Sequence, residues 1–309
     1  MSVKATVSRS NTLCSTGRWE SWKSAPSDQS VFLLEGVRTI PPLSKPSVLR
    51  RTLFTPTRYF DRVQRFCFFI APARSGHSIV AHLLSAHPDV LIADEVDALH
   101  YIKEGYSASR LYALCRWKDV YFQRHKRIKS GYDYAVPGTA QGEGRKKHPL
   151  VIGGAKGGAS TRILALDPGV IDRLRAEVGV PLRVIFHVRH PFDVMATKIR
   201  RHPRSLKGAA EGIRRLASRL EGAFDLLHDA EKLLQTHEEL IADPKAQFER
   251  LFRFLDVEPI PEIVEACAGK IWKAPHTTRT ALQWEGDDEA HLLKDLRKTR
   301  FFASYFADD

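Results

Sequence analysis

Arg74-Ser75-Gly76-His77-Ser78 and Arg189-His190-Pro191 with Thr197 are the two places where residue types and spacing suit anion chemistry. In the first, a guanidinium, two hydroxyls and an imidazole crowd around one glycine. The apolar run Phe66 to Ile70 precedes this turn, and Ile79, Val80, Leu83 and Leu84 follow it at helical spacing. A strand, a short glycine-containing loop and a helix aim backbone N–H groups and a helix N-terminus at an anion. Arg74 adds a full positive charge, and Ser75, His77 and Ser78 add side-chain donors. The triphosphate loop GxxxxGK[ST] is absent, because Gly76 is the only glycine in the turn and no Lys-Ser/Thr pair follows it. That removes the usual Mg²⁺ anchor and disfavours ordinary ATP or GTP hydrolysis. The plain structural alternative is a strand-to-helix turn that happens to contain arginine.

In the second stretch, LRVIFHVRHPFDVMATKIRR from Leu182 to Arg201, a buried-type strand runs into Arg189 and a helix. Pro191 suits the first helical position, where its missing N–H costs nothing. Arg189 ends the strand, and Thr197 lies about two turns into the helix. A guanidinium and a hydroxyl so placed can share one phosphate, with arginine donating through two N–H groups.

The elements that must carry these residues read as α/β. Strands are expected at Phe66–Ile70, Val90–Ala93, Leu150–Ile152 and from Leu182, each followed by a turn or helix signal. Helical spacing extends over 101–128, 167–178, 207–234, 244–255, 261–269 and 285–305. Gly153-Gly154-Ala155-Lys156-Gly157-Gly158 reads as a loop after the third strand, its glycines permitting close approach and positive φ. Ligands of open parallel sheets bind at the carboxyl edge, so Asp94-Glu95-Val96-Asp97 and Lys156 are expected there. The loop Ser130 to His148 is long enough to be functional and is placed to cap a site.

With both stretches in hand, the chain resembles the sulfotransferases that use 3′-phosphoadenosine 5′-phosphosulfate (PAPS). Their strand-loop-helix motif [KR]-S-G-[TS]-[TS] is matched by Arg74-Ser75-Gly76-His77-Ser78, with His77 replacing a small hydroxyl residue and Arg74 standing where the cytosolic branch has lysine. Their frame R-[NDH]-P-x-D-x-x-x-S is matched by Arg189, Pro191, Asp193 and Thr197, with threonine for serine. A third block, Glu239 to Pro244 followed by Phe248, Leu251, Phe252, Phe254 and Leu255, is similar to a further family segment.

The resemblance covers Arg65 to the C-terminus. It implies a three-layer αβα fold with a central parallel sheet, P-loop-NTPase-like, over residues 61–309. It also implies PAPS as co-substrate, no metal requirement, and in-line transfer of a sulfuryl group to an acceptor hydroxyl or amine. The first motif would hold the 5′-phosphosulfate, and Arg189 with Thr197 the 3′-phosphate. Glu95 is the candidate general base, against the alternative of an acidic residue favouring a helix N-terminus; Asp97, His100 and His187 are weaker candidates. Lys156 would neutralise the transferring group, and Arg279 would close the nucleotide site from the C-terminal segment. The acceptor is expected to be a small molecule or glycan. Two other readings stay open: a nucleotide kinase or NTPase with a degenerate loop, and a non-enzymatic nucleotide-binding protein.

The formal charge of +12 fits a field that steers a polyanionic donor. Nucleic acid is not the expected partner, since the basic residues are spread along the chain without interleaved aromatics or a recognised module. Four separated cysteines without a CxxC pair speak against a disulfide framework or structural zinc. No apolar run approaches a membrane span, and a cytoplasmic protein is expected. Residues 1–60, rich in Ser, Thr, Pro and Arg, read as a loosely ordered extension, with a short strand at Val31–Val37.

Overall fold

Four largely buried strands build the core, β1 (Arg65–Ile70), β2 (Val90–Asp94), β5 (Val151–Ala155) and β6 (Leu182–Val188), with the half-buried edge strand β7 (Lys232–Thr236) beside them. The computed structural model describes residues 45–53, 55–125, 127–129, 132–139, 141, 148–202, 205–274, 277–284 and 286–307. Residues 1–44, with the strand expected at Val31–Val37, and part of the Ser130–His148 loop lie outside the described residues. The remaining elements are β3 (Ile128–Lys129) paired antiparallel with β4 (Tyr132–Asp133), and helices α1 (Lys45–Thr52), α2 (His77–Leu84), α3 (Ala98–Lys103), α4 (Ala108–Arg124), α5 (Gly157–Leu166), α6 (Val170–Val178), α7 (Pro191–Arg201), α8 (Leu206–Asp225), α9 (His237–Ala242), α10 (Pro244–Phe254), α11 (Pro261–Ala268) and α12 (Asp288–Leu296).

The strand order is β2-β5-β1-β6-β7, and every neighbouring pair is parallel. Alternation of side chains divides the buried residues between the two faces. Phe66, Phe68 and Ile70 of β1 join the cluster formed with α3 to α8 and α12. Cys67 and Phe69 join the cluster formed with α2, α9, α10 and α11. The result is the three-layer αβα arrangement expected. Because the chain steps from β1 to β2 and β5 on one side and to β6 and β7 on the other, the crevice at the carboxyl ends beside β1 is where such a sheet receives a ligand.

Several local expectations change. Gly153 and Gly154 lie inside β5, and neither has positive φ. What Gly153 provides is room, since a Cβ there would run into the carbonyl oxygen of Cys67 on β1. The helix expected over 207–234 ends at Asp225, and its last apolar residues, Leu233 and Leu234, sit on β7 instead. The 101–128 stretch divides into α3 and α4 at Gly105, whose φ is +79°. The helix expected at 285–305 is shorter, and α5 begins inside the glycine-rich stretch expected as a loop.

Part of the stretch before residue 60 packs against the larger cluster. Val48 of α1 is fully buried in the larger cluster, and the Arg51 guanidinium lies 4.9 Å from the Trp117 ring centroid of α4. α1 thus packs on α4 and the larger cluster.

Candidate functional site

The turn from Arg74 to Ser78 follows β1 and leads into α2. Ile70 pairs in register with Phe186 of β6, so Arg74 and Arg189 leave the same carboxyl edge of neighbouring parallel strands. Gly76, with φ +100°, caps α2, and a Cβ there would sit 2.8 Å from His237 Nδ1. Both the backbone and the space demand glycine. Arg74 itself takes φ +78°, and Glu95 takes φ +60°. Non-glycine residues pay about 1 to 2 kcal/mol for that region, and such strain gathers at functional sites.

Arg74 is half-buried, and its Nε is buried with no hydrogen-bonding partner. Burial pulls its guanidinium below the ordinary value, and the guanidiniums of Arg201 and Arg200 push the same way. A cation that is desolvated, orphaned at Nε and faced by like charge suits an anionic ligand. Ser75 and Ser78, expected as ligand donors, have partners within the fold. Ser75 is fully buried with its Oγ 3.3 Å from His77 Nδ1, and Ser78 Oγ donates to Asp94 Oδ1 at 3.1 Å. The loop start is pinned by Ala71 N–H, which donates to Thr161 Oγ1 of α5 at 3.2 Å.

On the β2 and β5 side, Lys156 and Glu95 form an ion pair. Burial lowers the Lys156 ammonium from its ordinary value while Asp94 opposes the shift. The helix-start alternative proposed for Glu95 belongs to Asp97, whose Oδ1 accepts from His100 N–H at 3.4 Å and from Ser160 Oγ at 2.9 Å. Behind Glu95 runs a buried polar chain that sequence reasoning missed. Asp94 Oδ2 lies 3.4 Å from His82 Nε2, His82 Nδ1 lies 3.2 Å from Arg127 Nη1, and Arg127 Nη2 donates to Asp119 at 2.6 Å. No local pattern marks it, because His82 sits on what reads as the apolar face of α2.

On the β6 side, Pro191 opens α7 and His190 caps it, its Nδ1 accepting from Phe192 N–H at 3.2 Å. Buried Asp193 gathers the C-terminal segment: Oδ1 accepts from Thr278 N–H at 2.6 Å and Arg279 N–H at 2.8 Å, and Oδ2 accepts from Arg279 Nη1 at 2.8 Å. Thr197 Oγ1 lies 3.5 Å from Thr278 Oγ1. Arg279 thus follows the residue whose hydroxyl meets Thr197, and its guanidinium is committed to Asp193. Asp193→Ala is expected to cost about 3 kcal/mol of unfolding free energy, because it strands these donors. Urea unfolding measures this, and a loss below about 1 kcal/mol would show the segment is held some other way.

Two histidines make the edge acid-sensitive. Burial, with His237 beside it, lowers His187 to about 3, and burial, with Arg279 next in weight, lowers His190 to about 4. Both are neutral in the fold, and the unfolded chain takes up protons first. Their contribution to stability is complete above the ordinary value of 6.5 and is lost as pH falls from there towards the folded values. Each unit costs about 1.4 kcal/mol per histidine. Asp97, its carboxyl raised by burial, works in the opposite sense. The urea midpoint is therefore expected to fall steeply between about pH 6 and pH 5. A flat midpoint across that range contradicts neutral, buried histidines.

The third block proves structural. Thr236 and Glu239 cap α9 reciprocally at 3.0 and 2.9 Å, and Asp243 caps α10 ahead of Pro244. Phe248, Leu251, Phe252 and Leu255 are fully buried. Among the described residues, no group of three or more His, Cys, Asp or Glu is placed to hold a metal ion, and no helix is long and apolar enough to cross a membrane.

No family model and no curated protein matches the sequence. Solved structures similar to the chain include the sulfotransferase domain of the Synechococcus PCC 7002 olefin synthase, at 13% identity and TM-score 0.46, covering 80% of this chain and 96% of that one. A sulfotransferase domain from the curacin biosynthetic pathway is similar at 15% identity and TM-score 0.45, covering 76% and 98%. Mouse sulfotransferase SULT7A1 complexed with PAP is similar at 13% identity and TM-score 0.45, covering 86% and 95%.

Proposed function

We propose that the chain is a sulfotransferase. It binds PAPS along the carboxyl edge of β1 and β6 and transfers the sulfuryl group to a hydroxyl or amine of a small-molecule or glycan acceptor presented over β5 and β2. The observation that carries this reading is the departure of Arg74 and Arg189 from adjacent parallel strands at one edge, each just ahead of a helix. One ligand with an anion at each end suits that spacing, and the residues between fit it: an orphaned guanidinium at Arg74, glycine where a Cβ would collide, and Thr197 facing the same edge segment.

PAPS supplies the sulfuryl group and a phosphate leaving group. Transfer of this kind is a loose, in-line displacement in which the protein positions and neutralises. Arg74 and the loop N–H groups meet the growing negative charge, a role worth about 10² to 10³ in kcat. Glu95 takes the proton of the accepting group, and Lys156 holds that carboxylate in place and keeps positive charge beside the reaction. Arg189 and Thr197 select a nucleotide that bears a 3′-phosphate.

Isothermal titration with adenosine 3′,5′-bisphosphate (PAP) tests the reading. Binding without added Mg²⁺, tighter than that of Mg²⁺–ATP, is expected, followed by transfer of labelled sulfate in a screen across acceptor classes. Mg²⁺–ATP binding tighter than PAP binding would favour a kinase-like protein. PAP binding with no transfer to any acceptor would favour a non-enzymatic nucleotide binder.

A further inference from the structure

We infer that Arg200 and Arg201 complete the grip on the donor nucleotide: together with Thr197 they hold its 3′-phosphate, the place the C-terminal Arg279 was expected to fill. The assignment rests on the nucleotide reading above. It begins with Arg279, whose guanidinium and backbone N–H both go to the buried carboxylate of Asp193. Its charge is matched within the protein, and releasing it would leave Asp193 buried without its cation, which is costly. Arg279 therefore ties the C-terminal segment to α7.

The nucleotide still carries about two negative charges on its 3′-phosphate, besides those on the phosphosulfate. Lys156 is engaged with Glu95 on the far side of β1, so it does not meet them. Arg200 and Arg201 close the last turn of α7, three and four residues beyond Thr197. Residues at that spacing share one helix face. Both are exposed, and neither has a hydrogen-bonding or ion-pair partner among the described residues.

Their field reaches Arg74, whose charge they oppose. Like charges that oppose one another in this way are relieved when an anion comes between them, which favours binding. Strand order settles which substrate they serve. α7 leaves β6, on the donor side of β1, whereas Glu95 and Lys156 lie over β2 and β5, where the acceptor is presented. Arginine is also the residue suited to a phosphate, through its planar fork of donors.

Titrating adenosine 3′,5′-bisphosphate and adenosine 5′-monophosphate into the full chain, the Arg200→Gln/Arg201→Gln variant and Arg279→Gln tests this. The double variant is expected to lose about ten- to a hundredfold in affinity for the bisphosphate and less than about threefold for the monophosphate, with its thermal midpoint unchanged. Arg279→Gln is expected to lower the thermal midpoint while preserving the ratio of the two affinities. Bisphosphate binding that survives the double substitution overturns the assignment alone, as does an equal loss for both nucleotides. Absence of bisphosphate binding by the unsubstituted chain removes the nucleotide reading and this assignment with it.

Discussion

Arg74→Ala is expected to lower kcat by about 10² to 10³ and to weaken bisphosphate binding, while the thermal midpoint of the nucleotide-free protein holds or rises. Both effects come from the same geometry. Arg74 is half-buried at positive φ with an orphaned Nε, and Arg200 and Arg201 oppose its charge. Alanine also carries a Cβ, so the backbone cost at this φ stays, while desolvation and repulsion are relieved. Loss of function with a gain in stability is the mark of a residue retained for its ligand. Arg74→Lys is expected to recover binding in part, since an ammonium keeps the charge but loses the bidentate fork. A kcat for Arg74→Ala within about threefold of the parent would remove Arg74 from the transfer step.

Glu95→Gln is expected to lower kcat by about 10² to 10⁴ with little change in bisphosphate affinity, and to abolish the acidic limb of the pH–rate profile. The ion pair with Lys156 creates a competing account, in which Glu95 merely anchors the lysine. Lys156→Met separates the two. If Glu95 is the base, Lys156→Met leaves the acidic limb present but displaced, because the carboxylate has lost its counter-charge. If Glu95 only anchors Lys156, the two variants share one rate and one pH profile, and the general-base role is lost. The positive φ of Glu95 and the polar chain from Asp94 through His82 and Arg127 to Asp119 place this carboxylate at the edge. Rigid support of that kind is what a positioned proton acceptor requires.

How much of the site was legible depended on how far apart its partners lie in the chain. The turn from Arg74 to Ser78 and the run from Arg189 to Thr197 are contiguous, and each could be read as strand, loop and helix. The capping residues Thr236, Glu239 and Asp243 were visible as a block, though their work is local and structural. Arg200 and Arg201 could be seen only as part of a basic run. Their place on the Thr197 face acquires meaning once Arg279 is found bound to Asp193. The start of β7 reads as helix because Leu233 and Leu234 extend the apolar spacing of α8, and the break at Asp225 has no proline to announce it.

Residue order alone determined the alternation of strands and helices and the two cationic turns, because each is settled by interactions among near neighbours. The tertiary structure decided the pairing of Glu95 with Lys156 and the capture of Arg279 by Asp193. Those outcomes follow from strand order. A sheet that sets β2 beside β5 and β6 beside β1 chooses which charges meet, and charges that meet across many residues leave no trace in local spacing.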